Sequence, residues 1–463
     1  MGKRADTRSS VGLPIPCWPV DTVVATPPAQ ETSARQRADL LWWLVLAGAG
    51  LGLTAIAVAG GARLGTASAP FLGRYRFEVS PFSLLAPAVA GAVLGAWGLG
   101  WFRHRRWASF QFAAYASAFA WAIALALVDG TAGLTRSLLD QSNYAPDVAA
   151  VGDDPLHYIR TFTDNVQAHS IAARGHPPGA VLLLWGMEKL GVQDQLTLAV
   201  FVTALAGLTV PLVLYTVKDV CGEETARRYM PVLALAPYAI WIAVSMDAVV
   251  AAFGAAMIAA GVYASAHRRH GLPSAVWSVV TGLLVGLGAM ISYGVAWLGL
   301  SIVLLYFARR RPFLNIGTGI GALIPVLIAN RLGFGWLDGL IAANSDFAAR
   351  VEPFRSAPWW AILSIIALII ATGPAIVASA RKIRNTPAWP FLVGSALAVL
   401  FSILTGLARG GVEAAWLPYF PWLTVAAIAP GQPGGDPPPM PWMLVAGGAV
   451  TALVIEAVLA TPW

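Results

Sequence analysis

From Asp129 to Gly191 the chain reads DGTAGLTRSLLDQSNYAPDVAAVGDDPLHYIRTFTDNVQAHSIAARGHPPGAVLLLWGMEKLG. This polar stretch lies between two hydrophobic segments. It holds three of the six histidines, His157, His169 and His176, and the only adjacent aspartate pair, Asp153-Asp154. How its second half is read decides the fold. The run GAVLLLWGMEKLG has about ten apolar positions before Glu188-Lys189, against the roughly 20 that a bilayer core requires. Its pattern suits a helix lying along the membrane interface, with Trp185 at headgroup depth. A stretch that does not cross leaves everything before and after it on one side of the membrane.

The rest of the composition demands a membrane. The chain is 463 residues long, 57% hydrophobic and 11% charged, with a mean hydropathy of +0.68. So few charges cannot cover the surface of a soluble domain of this size. A net charge of +7 suggests nucleic acid in a soluble protein, but here the basic residues sit at the ends of apolar runs, where they orient helices. No nucleic acid is expected. Cys17 and Cys221 are far apart, both on segments expected in the cytoplasm, so neither a disulfide nor a cysteine metal site is expected.

Working outward, about thirteen apolar segments of roughly 16 to 23 residues follow. Three precede the polar stretch: Leu40–Ala62, Pro81–Phe102 and Ala108–Val128. Ten come after it: Leu196–Val217, Tyr229–Val244, Asp247–Ala266, Pro273–Met290, Gly294–Ala308, Pro312–Asn330, Trp360–Ala380, Pro387–Leu407, Ala414–Ala429 and Pro441–Leu459. The fold expected is an all-α polytopic membrane protein. Residues 1–39 read as a disordered cytoplasmic tail, because prolines interrupt them and no compact apolar core follows the basic start. Residues 40–463 read as one transmembrane domain with an external catalytic loop at 129–195 and a second external loop at 333–359. With the N-terminus inside, the tail and the connectors at 103–106, 218–228, 267–270, 309–311 and 381–384 carry 19 of the 30 Lys and Arg residues. That is the bias of cytoplasmic loops, and only the last connector, Gly431–Met440, lacks it. The glycines in GLLVGLG near 282 and GTGIGA near 317 lie inside spans and favour close helix packing.

Several polar residues need a reason. Asp154 before Pro155 has the form of a helix N-cap, yet a capping turn also presents a carboxylate able to act as a general base. Asp153 beside it and Asp129 are alternatives. His176, in Gly175-His176-Pro177-Pro178-Gly179, is either a solvated histidine at a helix start or a donor to a substrate phosphate or hydroxyl, supplemented by His169 and Arg174. Asp247, in Ser245-Met246-Asp247-Ala248, is either an N-cap or a functional acid at the outer face. Arg409 and Glu413 are spaced i, i+4, as a helical ion pair would be. The histidine spacings match no zinc signature; no metal site is assigned, although a divalent metal ion is admissible.

Taken in order, D-D-x-x-x-Y (Asp153, Asp154, Tyr158), H-P-P-G (176–179), a helix ending in K-L-G (189–191), T-V-P-L-V-L-Y (209–215) and S-x-D-A (245–248) resemble the GT-C superfamily of membrane glycosyltransferases. Its members include protein O-mannosyltransferases and polyprenyl-phosphate-dependent arabinosyl- and mannosyltransferases. The resemblance covers about Asp129 to Ala266, with a late E-x-x-W-L-P-Y-F-P-W-L from Glu413. Two departures stand out: the loop follows the third span instead of the first, and the acidic pair is Asp-Asp where Asp-Glu is usual.

The resemblance implies inverting transfer of a sugar from a polyprenyl-phosphate donor to a glycan, lipid or protein acceptor of the cell envelope, on the outer face of the cell membrane. It makes Asp154 or Asp153 the base, places His176 near the donor phosphate and Asp247 at an outer turn, and leaves Tyr158, His169, Arg174, Lys189 and Glu413 as candidate substrate-binding residues. The resemblance fixes no cofactor and leaves a divalent metal ion open. The alternatives are a transporter or lipid flippase, which the scarcity of charge at mid-membrane disfavours, and a non-catalytic envelope scaffold.

Overall fold

The computed structural model describes residues 33–77, 79–266, 270–428 and 440–461. The expected tail up to residue 32, Cys17, the connector residues His267, Arg268 and Arg269, and the last connector with Asp436 lie outside the described residues.

The chain begins with α1 (Ser33–Ala59), a two-residue strand β1 (Arg74–Tyr75), α2 (Leu85–Gly98) and α3 (Trp107–Ala126). The polar stretch forms short helices: α4 (Ala132–Leu139), α5 (Ala145–Val151), α6 (Pro155–Thr161), α7 (Ile171–Arg174) and α8 (Gly179–Lys189). Then come α9 (Gln195–Gly207), α10 (Thr209–Cys221), α11 (Glu223–Ala234), α12 (Met246–Ala264), α13 (Leu272–Ile291), α14 (Gly299–Ala308) and α15 (Leu314–Leu332). The second long loop contains α16 (Trp336–Arg350). The remainder is α17 (Ala357–Thr372), α18 (Ala375–Arg381), α19 (Trp389–Leu404), α20 (Val412–Ala415), α21 (Phe420–Leu423), α22 (Trp442–Val458) and β2 (Leu459–Ala460), which pairs antiparallel with β1. α1 starts seven residues before the expected span, at Ser33. Its first turns are anchored by Gln36, bonded to the Met440 carbonyl, and Asp39, held by Arg381 at 2.6 Å.

Seven stretches are long and apolar enough to cross a bilayer: α1, Pro81–Gly98, Trp107–Asp129, the run of α9 and α10, α12, α13 and α15. α17 and α18 form a further pair bent by 103°, and Gly294–Ala308, α19 and α22 are shorter apolar helices. The chain is an all-α polytopic membrane protein. Two further expected segments are helical only in pieces. Within 229–244 α11 ends at Ala234 ahead of Pro237, and within 414–429 the chain breaks at Pro418 between α20 and α21, since proline removes a backbone donor and clashes with the preceding turn. Broken backbone survives at membrane depth only where protein covers it. Both pieces are almost wholly buried, and side chains satisfy the freed carbonyls: Tyr229 donates to Pro421 O at 2.6 Å, Trp121 to Ala236 O at 3.3 Å, Ser379 to Leu423 O at 2.6 Å.

α12, rich in Ala and Gly, is the most buried of the long helices, because small side chains let neighbouring backbones approach. The same logic explains the glycine-rich runs. A Cβ on Gly282 would stand 2.0 Å from Thr318 O and one on Gly321 2.2 Å from Val279 O, so α13 and α15 touch backbone to backbone.

Charges separate to two ends of the bundle. One end gathers Asp39 with Arg381, Lys218 with Glu223, Arg309 with Asp219, and Arg227 on the carbonyls of Phe102 and Arg105. The other gathers Asp129 with Arg76 and Arg136, Lys189 with Asp153, Arg174 with Asp346, and Arg409 with Glu352. The expected i, i+4 pair of Arg409 and Glu413 does not form. Gly410 and Gly411 between them have φ of +99° and +75°, so the two residues do not share a helix. Glu413 instead is fully buried and accepts from Leu72 N at 2.6 Å.

Candidate active site

The 129–191 stretch is not a loose loop. Gly152, at φ +54°, turns the chain out of α5. Asp154 then caps α6, its carboxylate accepting from His157 N at 3.0 Å with Pro155 in the first turn. Ser170 caps α7. The prolines of H-P-P-G lead into α8, whose first residue has to be glycine: a Cβ on Gly179 would meet Met290 O at 2.2 Å. The start of α8 is thereby seated on the end of α13. At 11 residues α8 is too short to cross a bilayer.

A small core fastens this stretch to the second long loop. Val151, Tyr158, Phe162, Ala173 and Val181 pack against Phe334, and Trp336 Nε1 donates to Ala289 O at 2.8 Å. Arg174 lies 3.8 Å from Asp346 of α16. Inside the core, Asp147 and His169 are engaged on every side. His169 Nδ1 is 2.7 Å from Asp147 Oδ1 and its Nε2 3.0 Å from Phe162 O; Asp147 Oδ2 accepts from Ser170 N at 3.0 Å, and the Tyr158 hydroxyl reaches Oδ1 at 3.4 Å. Burial pushes the Asp147 carboxyl up, but the hydrogen bonds from His169 and Ser170 outweigh it and hold it below the usual carboxylate value.

Between this scaffold, α9, the start of α12 and α20 lies a cavity of about 410 Å³. That volume is within the range of small-ligand sites. Leu138, Val148, Leu184, Leu198, Val202 and Val244 give it apolar walls; Ser142, Asn143, Tyr144, His176, Glu188, Gln195 and Asp247 supply polar groups. Two of these polar groups form a pair. His176 Nε2 is 3.6 Å from Asp247 Oδ1, an ion-pair distance slightly beyond a hydrogen bond, and Nδ1 is 2.8 Å from Ala172 O. Asp247 is free to make this contact because Ser245, not Asp247, caps α12, accepting from Ala248 N. Burial lowers the His176 pKa, while the Asp247 carboxylate and the Ala172 carbonyl raise it by more, so the ring ends above its ordinary value. The Tyr144 ring meets His176 edge-on at 6.3 Å.

Of the candidate residues, His176 and Asp247 come together in the cavity wall. Asp154 and Asp153 stand outside it, on the far side of α8. Helical periodicity explains why. Leu184 and Glu188, one turn apart, face the cavity; Trp185 and Lys189 face the Gly152–Asp153 turn, where Trp185 Nε1 donates to Gly152 O at 2.8 Å and Lys189 Nζ lies 2.7 Å from Asp153. Lys189 holds the exposed Asp153 carboxyl below its usual value. Tyr158 and His169 are in the small core, Arg174 beside Asp346, and Glu413 behind the wall formed by Gly411, Ala414 and Ala415. Tyr144 and Glu188 were missed by the sequence; for Glu188 the phase of α8 was the available signal. Among the described residues no group of three His, Cys, Asp or Glu side chains is arranged to hold a metal ion.

These features define a class: a polytopic helical membrane protein with a loop-built, partly apolar cavity at one end of its bundle. No family model and no curated protein matches the chain. Among solved structures it is similar to ArnT from Cupriavidus metallidurans in the apo state, at 16% identity over 60% of this chain and 54% of that one, with a TM-score of 0.41. It is also similar to the Archaeoglobus fulgidus oligosaccharyltransferase in complex with Zn and sulfate, at 13% identity over 67% and 50%, with a TM-score of 0.38. The chain thus spans about half the length of each. Likenesses of this size leave function to be argued from the site.

Proposed function

We propose that this protein is a GT-C-type membrane glycosyltransferase that moves a sugar from a polyprenyl-phosphate donor to a cell-envelope acceptor on the outer face of the cell membrane. The observation that carries the proposal is the His176–Asp247 pair in an otherwise largely apolar cavity at a membrane-protein end. A prenyl-phosphate sugar needs apolar surface for its first isoprene units, a cation for its single phosphate and a base for the acceptor hydroxyl. Leu138, Val148, Leu184, Leu198 and Val202 offer the first. His176 is the one cation-forming side chain among the described residues of the wall, which suits one phosphate better than a diphosphate. Glu188, Gln195, Asn143 and Tyr144 have the chemistry to hold sugar hydroxyls. The GT-C resemblance names the loop acids Asp154 and Asp153 as bases, but both stand outside the cavity wall, which holds Asp247. The end of the bundle holding the cavity is the one poor in basic connectors, so it faces outward with the N-terminus inside.

The test is transfer itself. The full chain in lipid nanodiscs is given polyprenyl-phosphate mannose or arabinose with alkyl glycoside acceptors, and new glycoside and free polyprenyl phosphate are measured. Both products are expected, with strong loss in His176→Ala. Movement of intact donor across proteoliposome membranes without cleavage would identify a transporter instead.

A further inference from the structure

We infer that His176 and Asp247 form a proton relay, in which Asp247 takes the proton of the acceptor hydroxyl and His176 gives one to the departing phosphate. This rests on the transferase function proposed above and assigns its acid–base chemistry to the cavity pair.

The geometry fixes which atom of His176 exchanges its proton. Nδ1 is 2.8 Å from the carbonyl oxygen of Ala172, and a carbonyl can only accept, so Nδ1 carries hydrogen in either protonation state. Nε2 is therefore the atom whose proton comes and goes, and it faces Asp247 Oδ1 at 3.6 Å. Contacts between catalytic groups are often long before substrate binds and tighten in the complex. Asp247 has no competing structural duty, since Ser245 performs the capping. Both side chains are about a quarter exposed, 24% and 23%, and both line the cavity.

Other titratable groups are accounted for. Tyr144 and Glu188 share the cavity wall; Asp147 and His169 lie behind Tyr144 and are bonded to each other. The Asp247 carboxylate and the Ala172 carbonyl raise the His176 pKa by more than burial lowers it, the direction a proton donor at this position needs.

The step balances. The acceptor oxygen forms a bond to the anomeric carbon as its proton passes to Asp247. The bond from the anomeric carbon to the phosphate oxygen breaks, its electron pair stays on that oxygen, and the Nε2 proton of His176 moves there. The proton on Asp247 then crosses to Nε2, restoring carboxylate and imidazolium. No proton is drawn from solvent.

The experiment uses the same nanodisc assay with H176Q, D247N and the double variant, measuring kcat against pH and donor binding by competition with unlabelled polyprenyl phosphate. Expected are losses of about 100-fold or more in each single variant, no further loss in the double, and donor binding retained in D247N. Wild-type kcat should be bell-shaped in pH; H176Q should lose the alkaline limb and D247N the acid limb. Multiplicative losses with both limbs intact would overturn the relay while leaving the transferase. So would near-wild-type rates in both single variants beside an inactive D154N, which would return the base to the loop turn. No polyprenyl phosphate released by wild type from either donor would overturn the transferase and the relay together.

Discussion

Two histidine–aspartate pairs, whose histidines His169 and His176 lie seven residues apart in the polar stretch, do opposite things. In Asp147–His169 both ring nitrogens face acceptors, both carboxylate oxygens are bonded, and the side chains are 3% and 7% exposed. In His176–Asp247 one nitrogen is fixed by a backbone carbonyl and the other looks across a gap to a carboxylate that opens on a cavity. The residue types are identical. What separates scaffold from chemistry is how many hydrogen-bonding valences remain uncommitted where a ligand can reach them.

The comparison breaks most severely at Asp147. Asp147→Ala leaves a buried imidazole facing no counter-charge, and about 3–5 kcal/mol of stability is expected to go; thermal unfolding and proteolysis within 129–191 would register it. The pairs also differ in the sign of their pH dependence. Asp147 has a lowered pKa, so its contribution is complete above the ordinary value near 4 and is lost as pH falls through the folded value. His176 has a raised pKa, so its contribution is complete below about 6.5 and is lost as pH rises through the folded value. Unfolding midpoints followed from pH 3 to 9 should fall at the acid side in wild type and less steeply in Asp147→Asn, where only the remaining low carboxyls such as Asp153, Asp194 and Glu223 contribute.

At Asp247 the effect should move from stability to rate. Asp247→Asn is expected to cost about 100-fold in transfer, near 2.7 kcal/mol of barrier, with an almost unchanged melting temperature. A fall in melting temperature as large as that of Asp147→Ala would erase the distinction between the pairs. A smaller change sharpens it: Trp185→Phe removes one hydrogen bond to Gly152 O and should lower stability by about 1 kcal/mol. Least of all, Lys189→Gln removes a surface contact with the exposed Asp153 and a 5.9 Å approach to the Trp185 ring, and should leave the unfolding curve nearly in place.

The membrane class was legible because apolar length and basic connectors are local properties, and the N-cap at Asp154 because capping is decided within four residues. The end of α8 was legible as too short to cross, but its phase went unused, so Lys189 was nominated where Glu188 reaches the cavity. Arg409 and Glu413 misled because i, i+4 spacing presupposes a helix, and the glycine pair between them forbids one. The meeting of His176 with Asp247, 71 positions apart, and the burial of Tyr158 against Phe334's cluster are products of tertiary packing, which no short window contains.

The small core that joins the two long loops also sets a timetable. Phe162 cannot find Phe334 until about 170 further residues have been made, some 10–30 s at a ribosomal pace of roughly 5–20 residues per second. The cavity wall closes later still, with Gly411, Ala414 and Ala415. During that interval the first loop waits on its own side of the bilayer with Tyr158 and Phe162 uncovered. The newborn chain therefore exposes Tyr158 and Phe162 to proteases and chaperones until Phe334 arrives to cover them.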